Sequence, residues 1–190
     1  APDVSPEDEE FEIFSKEVVK EMTAKAGQKC TAIRRILAPA EHLDALANTL
    51  KSRLANIVVG DPHEEGVRMG ALSSRDQLRD VNHAIEQLLE TSECVFGREG
   101  SFKPVGQGVE NGAFITPHLL INRNPLNDGG AHDIEAFGPV ATLMPYSGID
   151  EALTIAAKGK GSLVTTLTTK DPAIAAEMIP ILAAQHGRLQ

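Results

Sequence analysis

Three long stretches of the chain place hydrophobic residues three and four positions apart, with charged residues between them. They cover residues 6–26, 40–57 and 74–91, and Val18 and Met22 illustrate the four-residue step in the first of them. This spacing is typical of helices that bury one face against a core. The pattern therefore predicts three long helices in the first half of the chain.

Two further helices are expected from residues that commonly begin helices. Asp150 is predicted to cap a helix that extends through Ala157. Asp171 and Pro172 predict the start of another helix, because proline is tolerated in the first turn. This last helix is expected to reach about His186.

Short runs rich in branched residues, bounded by Gly, Pro or Asp, predict strands between these helices. The candidates are TAIRRILAP, CVFG, GAFITPHLLI, GPVATLMPY and LVTTLTT, which begin at positions 31, 94, 112, 138 and 163. Helices of ten or more residues that alternate with short strands are typical of α/β domains. We therefore expect an α/β fold with a largely parallel, twisted sheet flanked by helices.

The composition narrows the classes of partner. The 190 residues suit one domain, and 42% hydrophobic with 24% charged residues is ordinary for a globular protein. A formal net charge of −9 argues against nucleic acid or an anionic membrane as a partner, because either would repel the chain. No apolar run approaches the roughly 20 residues that span a bilayer. Two cysteines are too few for a disulfide framework, so a reducing, cytoplasmic setting is expected.

Cys30 is the first candidate for chemistry. It follows Gly27 in a short loop between the first helix and the first strand, where a backbone can approach a ligand closely. Lys29, Arg34 and Arg35 could favour the thiolate, which is the nucleophilic form of cysteine. The residues alone leave a second interpretation open, in which Cys30 is a small residue buried behind the strand.

The other residues with reactive or ligating side chains are assigned to packing or to the surface. Cys94 lies in an apolar run and is expected to be buried. The histidines lack paired spacings such as HExxH, so each is predicted to be a surface or loop residue, and no metal site is expected. They are His42, His63, His83, His118, His132 and His186.

The second candidate is the segment EAFGPV at residues 135–140. A carboxylate two residues before an aromatic ring, followed by Gly-Pro at the entry to a strand, predicts a rigid turn. The residues alone leave open that Glu135 is an acidic loop residue and that Phe137 belongs to the core. No GxGxxG fingerprint for a dinucleotide precedes a helix, because the glycines of GREGSFKPVGQG at 97–108 do not fit it.

Taken together, these segments resemble the aldehyde dehydrogenase superfamily. AGQKC, which ends at Cys30, is similar to the nucleophile motif G-Q-x-C, and EAFGPV is similar to the motif E-x-F-G-P-V. VGDP and MGAL match a loop between them, and NGAFITPHLL resembles the G-x-F-x-x-P-T-L strand, with His118 in place of the usual Thr. The similarity extends along essentially the whole chain, so a fold of the aldehyde dehydrogenase catalytic-domain type is expected.

The resemblance implies covalent catalysis with NADP or NAD as the cofactor. Cys30 would attack an aldehyde, and loss of hydride to the nicotinamide would leave a thioester that water hydrolyses. The oxyanion would be held by the backbone N–H of Cys30 and by an asparagine from the other domain of the family. Glu135 would hydrogen-bond the nicotinamide ribose, and Phe137 would pack beside the cofactor.

Several parts of the family have no counterpart in residues 1–190. They are the cofactor-binding domain, the asparagine, the general-base glutamate of an E-L-G-G-type segment and the C-terminal oligomerisation strand. We therefore expect residues 1–190 to be a truncated catalytic domain that is inactive alone and exposes enough apolar surface to self-associate. The full-length protein is expected to be a homo-oligomer.

A closer resemblance concerns one branch of the family. KEVVKEMTAKAGQKCTAIRRILAP, HDIEAFGPVATLMP and GKGSLVTTLTTKDP are similar to dehydrogenases of CoA-linked aliphatic semialdehydes, including the dehydrogenase part of phenylacetate ring-opening enzymes. This resemblance implies a CoA-linked semialdehyde as the substrate. Two alternatives stay open: a CoA-acylating aldehyde dehydrogenase, and a non-catalytic scaffold that kept the fold.

Overall fold

The computed structural model describes residues 1–98 and 102–190. Residues 99–101 lie outside the described residues. They belong to the segment GREGSFKPVGQG, so the interpretation of its glycines falls partly outside the description as well. None of the helices in the two described ranges is long and apolar enough to cross a bilayer. The helices there are α1 (Glu9–Thr23), α2 (Leu43–Leu54), α3 (Arg75–Leu88), α4 (Gly130–Asp133), α5 (Ile149–Ala157) and α6 (Pro172–Ala183). The three long helices of the first half are thus confirmed, each a few residues shorter than predicted.

Four of the strands form the main sheet. They are β1 (Arg35–Pro39), β2 (Glu93–Phe96), β3 (His118–Ile121) and β4 (Val140–Tyr146), in the order β1-β4-β3-β2. Strand β4 is parallel to both β1 and β3, whereas β2 is antiparallel to β3. Two short strands, β5 (Val164–Thr165) and β6 (Arg188–Leu189), form a separate parallel pair. The predicted α/β fold with a largely parallel sheet flanked by helices is confirmed.

Helices cover both faces of the main sheet because successive residues of a strand point to opposite sides. Leu119 and Leu143 pack in the apolar cluster that contains α1 and α2. Their neighbours Leu120 and Met144 pack in the cluster that contains α3 and α5. All four side chains are fully buried. A strand with both faces buried needs no polar alternation, which explains the unbroken apolar runs in β3 and β4.

The helix starts follow the sequence in one case and depart from it in another. Asp171 caps α6 as predicted, since its carboxylate accepts the backbone N–H two residues later at 2.8 Å. Asp150 is not the cap of α5, because the helix begins at Ile149 and Gly148 occupies the cap position, two residues before Asp150. The Glu151 carboxylate instead accepts the backbone N–H of Ser147 at 2.7 Å and satisfies a donor at that end.

The prediction of a strand over 163–169 is largely wrong. Within that run Val164 and Thr165 are the residues assigned to a strand, and they pair with β6 rather than with the main sheet. The backbones of Leu163 and Leu167 also hydrogen-bond to residues 188–190. A strand is defined by the partner that its backbone hydrogen bonds reach, and branched residues alone do not supply that partner.

Candidate active site

Cys30 lies in a turn that follows the end of α1. The chain leaves α1 as a short 3-10 helix, Ala24–Gly27, in which two non-glycine residues have left-handed φ angles of 53° and 52°. The Lys29 carbonyl then accepts the backbone N–H of Ala32 at 3.1 Å, which closes a turn that contains Cys30. The Cys30 side chain is exposed. The interpretation of Cys30 as a small residue buried behind the strand is therefore wrong.

This turn packs directly on the segment EAFGPV. Gly27 has a φ of +69° and approaches the backbone of Gly138 so closely that a β-carbon on Gly27 would lie 2.1 Å from the Gly138 carbonyl oxygen. Such a contact is impossible without movement, so only glycine fits between the two backbones. The structure thus brings together two motifs that are more than 100 residues apart in the sequence.

The parallel pairing of β1 with β4 explains why the motifs meet. Cys30 precedes β1 by five residues, and Glu135 precedes β4 by five residues. Arg35 is the register partner of Thr142, and the Arg34 carbonyl accepts the backbone N–H of Thr142 at 2.8 Å. Because the amino ends of parallel strands share one edge of a sheet, the segments that lead into them lie side by side.

Arg34 connects the two motifs through its side chain. Its Nε donates to Glu135 Oε1 at 2.9 Å, and its Nη2 donates to the Lys29 carbonyl at 3.1 Å. The guanidinium also lies over the ring of Phe137, with Cζ 5.3 Å from the ring centroid, which is within cation–π range. One side chain therefore holds the turn that contains Cys30, the Glu135 carboxylate and the Phe137 ring in a fixed arrangement.

Phe137 is not a core residue. It is 37% exposed, and its φ of 21° is strained for a side chain other than glycine. Its backbone carbonyl accepts a hydrogen bond from Gln77 Nε2 at 2.9 Å. Nearby, Gln28 Oε1 accepts the backbone N–H of Ser73 at 2.8 Å, so the start of α3 fastens both motifs.

The cations that the sequence places around Cys30 are engaged elsewhere. Lys29 pairs with Glu21 at 2.6 Å, and Arg34 pairs with Glu135. Arg35 donates to backbone carbonyls at the end of α5. The expectation that all three cations favour the thiolate is therefore not supported by their contacts. The Cys30 backbone N–H, in contrast, has no hydrogen-bond partner among the described residues.

Residues of the two motifs line one cavity of about 620 Å³. Cys30, Arg34, Glu135 and Phe137 all line it, together with residues of β1 and of the 163–168 segment. This volume lies within the usual range for small-molecule and cofactor sites. Cys30, Glu135 and Phe137, which the sequence singled out, are thus brought into one cavity, and Arg34 links them in a way that no sequence spacing signalled.

Two histidines differ from the expectation that they are surface or loop residues, because His118 lies in β3 and His132 lies in α4. His186 is a loop residue, as expected, but it is buried. His118 and His186 are 9% and 8% exposed, respectively. His132 is half-buried, and its Nδ1 accepts from Arg35 at 3.2 Å. Among the described residues no group of three or more His, Cys, Asp or Glu side chains is arranged to hold a metal ion.

Cys94 is less buried than predicted. It is half-buried in β2, where its thiol donates to the Phe96 carbonyl at 3.4 Å. Its side chain packs at the margin of the cluster that contains α3 and α5. Cys94 therefore provides an internal reference for the exposed Cys30.

Comparisons with known sequences point in one direction. The model of the aldehyde dehydrogenase family matches residues 5–186. The chain is 44% identical over 188 residues to 3,4-dehydroadipyl-CoA semialdehyde dehydrogenase of Aromatoleum evansii, which covers 99% of this chain and 36% of that protein. It is 36% identical over 161 residues to a putative aldehyde dehydrogenase of Staphylococcus haemolyticus, which covers 82% of this chain and 33% of that protein. The chain thus spans about a third of the length of these relatives.

Comparisons with solved structures agree on the fold. Betaine aldehyde dehydrogenase of Staphylococcus aureus, in complex with NAD⁺, superimposes with a TM-score of 0.84 at 22% identity, over 96% of this chain and 35% of that one. An aldehyde dehydrogenase of Bacillus cereus, as its E194S mutant, gives a TM-score of 0.83 at 22% identity, over 97% of this chain and 35% of that one. At this level of identity the likeness concerns the fold alone.

Proposed function

Because the chain belongs to the aldehyde dehydrogenase family, we propose that it supplies the nucleophile and part of the cofactor site of an NAD(P)-dependent dehydrogenase. The enzyme would oxidise a CoA-linked aliphatic semialdehyde to the acid, as in phenylacetate-type aromatic catabolism. The observation that carries the proposal is the exposed Cys30 in a cavity that it shares with Glu135 and Phe137.

Cys30 carries the covalent chemistry in this proposal. Its thiolate attacks the aldehyde carbon, a C–S bond forms, and the carbonyl electron pair moves to oxygen. The free backbone N–H of Cys30 donates to this oxyanion and stabilises the charge that develops there. Loss of the aldehyde hydrogen with its electron pair leaves a thioester on Cys30, which water hydrolyses to the acid.

Glu135 and Phe137 fit a nicotinamide cofactor. Arg34 engages one carboxylate oxygen of Glu135, and the other makes no hydrogen bond among the described residues, so it can accept from a ribose hydroxyl. The partly exposed ring of Phe137 offers an apolar surface beside it. When bound, the nicotinamide supplies the hydride acceptor. Arg34 keeps the Glu135 carboxylate oriented. The strained backbone of the partly exposed Phe137 is consistent with a residue that faces a ligand.

Several groups that the proposed reaction needs are not among residues 1–190. The family resemblance assigns the water-activating glutamate, the second oxyanion donor and most of the cofactor site to regions that these residues do not include. Residues 1–190 alone are therefore expected to form no acid product. In the full-length protein, which we propose to be a homo-oligomer, the same Cys30 would complete the reaction.

The substrate class rests on one relative. The Aromatoleum evansii protein is named for a CoA-linked semialdehyde, and it aligns with 99% of this chain. The alternative of a CoA-acylating enzyme differs in the last step, where free CoA rather than water takes the acyl group from Cys30. Product analysis distinguishes them, because the hydrolytic enzyme releases an acid and the acylating enzyme releases a new thioester.

Alkylation of residues 1–190 by iodoacetamide, followed by peptide mass spectrometry, tests the role of Cys30. Cys30 is expected to react at least about tenfold faster than the half-buried Cys94, because the reagent reaches an exposed sulfur atom directly. In the full-length protein, Cys30→Ser is expected to abolish acid formation, with Cys94→Ser as the matched control. Preferential alkylation of Cys94, or full activity of Cys30→Ser, would favour the non-catalytic scaffold.

A further inference from the structure

A second group of polar residues lines the same cavity away from the cysteine motif. Arg35 reaches it from β1, Ser162 from the loop after α5, and His186 from the segment after α6. None of the three is used in the proposed oxidation. Among the described residues, the positive charge of Arg35 has no counter-ion and the two buried ring nitrogens of His186 have no hydrogen-bond partner.

Arg35 has no carboxylate partner among the described residues. Its hydrogen bonds go to neutral acceptors: His132 Nδ1 at 3.2 Å, the carbonyls of Ile155 and Ala156 at 3.0 and 3.1 Å, and Ser162 Oγ at 3.2 Å. The two carbonyls are at the end of α5, whose dipole offsets roughly half a charge at most. Burial lowers the pKa of Arg35, as expected for a guanidinium without a counter-ion.

The ring of His186 has no hydrogen-bond partner among the described residues. The residue is only 8% exposed, and both Nδ1 and Nε2 are buried and unbonded. The Ser162 carbonyl is close enough to favour the protonated ring, but it forms no hydrogen bond of acceptable geometry with either nitrogen and already accepts the backbone N–H of Gly187 at 3.1 Å. Two unpaired buried nitrogens are costly unless a ligand or water meets them.

The acidic side chains that line the cavity are already neutralised. Glu21 pairs with Lys29 at 2.6 Å, Asp133 with Lys160 at 2.7 Å, and Glu135 with Arg34 at 2.9 Å. Lys158 adds a further positive charge near His132. This part of the cavity is therefore positive although the chain carries a net charge of −9.

We propose that Arg35, Ser162 and His186 form a binding site for a small oxyanion, either a carboxylate or a phosphate group of a ligand in the cavity. A ring N–H of His186 donates to one oxygen, and the Ser162 hydroxyl, which accepts from Arg35, donates its own proton to another. Arg35 supplies the charge behind them. This site does not depend on the proposed oxidation at Cys30.

Binding of the anion is coupled to protonation of His186. Burial and the nearby Arg35 lower the pKa of His186, so the ring is neutral at pH 7. An anion at the site favours the protonated ring, and binding therefore strengthens as the pH falls. Acetate is the better probe of this effect, because it stays fully ionised between pH 6 and pH 8 whereas phosphate itself titrates.

The test is a titration of residues 1–190 with inorganic phosphate and, separately, with acetate, at constant ionic strength. The His186 ring signals are followed by NMR and the heat by calorimetry. Saturable binding at millimolar concentration is expected, weakened about fivefold for each hydrogen bond removed in Ser162→Ala and in His186→Phe. His63→Phe is the control, because that side chain is 94% exposed on the surface.

Each outcome decides one question. Binding of phosphate alone assigns the site to a phosphate group, whereas equal or tighter binding of acetate assigns it to a carboxylate. Equal affinities in His186→Phe, Ser162→Ala and His63→Phe, with melting curves that show all three folded, would overturn the proposal. Absence of a saturable shift at His186 with either anion would overturn it as well.

Discussion

Arg34 is the residue on which the arrangement of the proposed active site depends. Its fork-shaped guanidinium donates to Glu135 and to the Lys29 carbonyl at the same time, and it also covers Phe137. A lysine keeps the charge but has no fixed fork, so it cannot hold both acceptors in one geometry. The pair with Glu135 is partly exposed, so its contribution to folding stability is small.

Arg34→Lys in the full-length enzyme is therefore expected to raise the KM for NAD(P) about tenfold with a smaller change in kcat. This split reflects a carboxylate that is no longer oriented toward the ribose. Steady-state kinetics with varied cofactor measures it. Arg79→Lys is the matched control, because Arg79 lies on the surface of α3 and pairs only with local acids. Equal KM values for the two variants would contradict the positioning role.

The sequence identified some of these residues and not others for a physical reason. Cys30, Glu135 and Phe137 belong to short motifs whose local pattern is visible along the chain. Arg34 was visible only as a nearby cation, because its contact with Glu135 crosses 101 positions and depends on strand register. The unpaired ring of His186 was equally invisible, since burial depends on what packs around it.

At the level of elements, the contact between the turn that contains Cys30 and the segment before β4 depends on Gly27. Gly27→Ala places a methyl group 2.1 Å from the Gly138 carbonyl oxygen and also imposes a φ of +69° on a residue with a side chain. We expect the variant to lower the free energy of unfolding by about 2 kcal/mol or more, because strain and a backbone clash add. Urea denaturation followed by circular dichroism measures the change.

Gly66→Ala separates the two causes. Gly66 has a φ of +84°, yet a β-carbon there meets no atom within 4 Å, so only backbone strain is added. It is expected to cost about 1 kcal/mol. A Gly27→Ala variant no less stable than Gly66→Ala would show that the two motifs tolerate separation.

The elements themselves were predicted to different degrees. Long amphipathic helices such as α3 follow from hydrophobic spacing, and β4 follows from an apolar run with both faces buried. The run at 163–169 has the same branched residues, but only two of them belong to a strand. Strand pairing is a long-range property, so the sequence predicts the tendency and not the partner.

At the scale of the whole molecule, buried histidines make stability depend on pH. Burial lowers the pKa of His118, His132 and His186. Since the unfolded value is about 6.5, the unfolded chain binds more protons as the pH falls below it. The stability from the neutral rings is therefore complete above about pH 6.5 and is lost progressively at lower pH.

The melting temperature is expected to fall between pH 7 and pH 5, as measured by calorimetry. His118→Gln removes one of the buried rings and should make this dependence shallower. His83→Gln, on the exposed face of α3, should leave it unchanged. Parallel curves for wild type and His118→Gln would assign the acid sensitivity to other groups.

The surface of α6 predicts association of residues 1–190. Ile179 and Ile181 on α6 are 46% and 43% exposed, and Leu163, directly before β5, is 55% exposed. Exposed apolar groups on one element favour contacts with another molecule. Light scattering is expected to show a mass that rises with concentration, and Ile179→Lys with Ile181→Lys should reduce it.

Ile13→Lys is the matched control for this prediction. Ile13 is 51% exposed on α1, so it has similar exposure on a different element. A constant monomer mass for the wild type, or an equal loss of association in Ile13→Lys, would contradict a specific role for α6.

The pairing of β1 with β4 also sets the order of events when the chain is made. Arg35 cannot pair with Thr142 until the ribosome has synthesised Thr142. For the same reason, the turn that contains Cys30 cannot pack on Gly138 before that residue has been made. At usual rates of synthesis this interval is roughly ten seconds. During it, the faces of α1 and α2 that pack on the main sheet are uncovered, and Cys30 precedes a strand that has no partner yet. The parallel sheet that builds the site thus leaves the nascent chain prone to aggregation until β4 has been made.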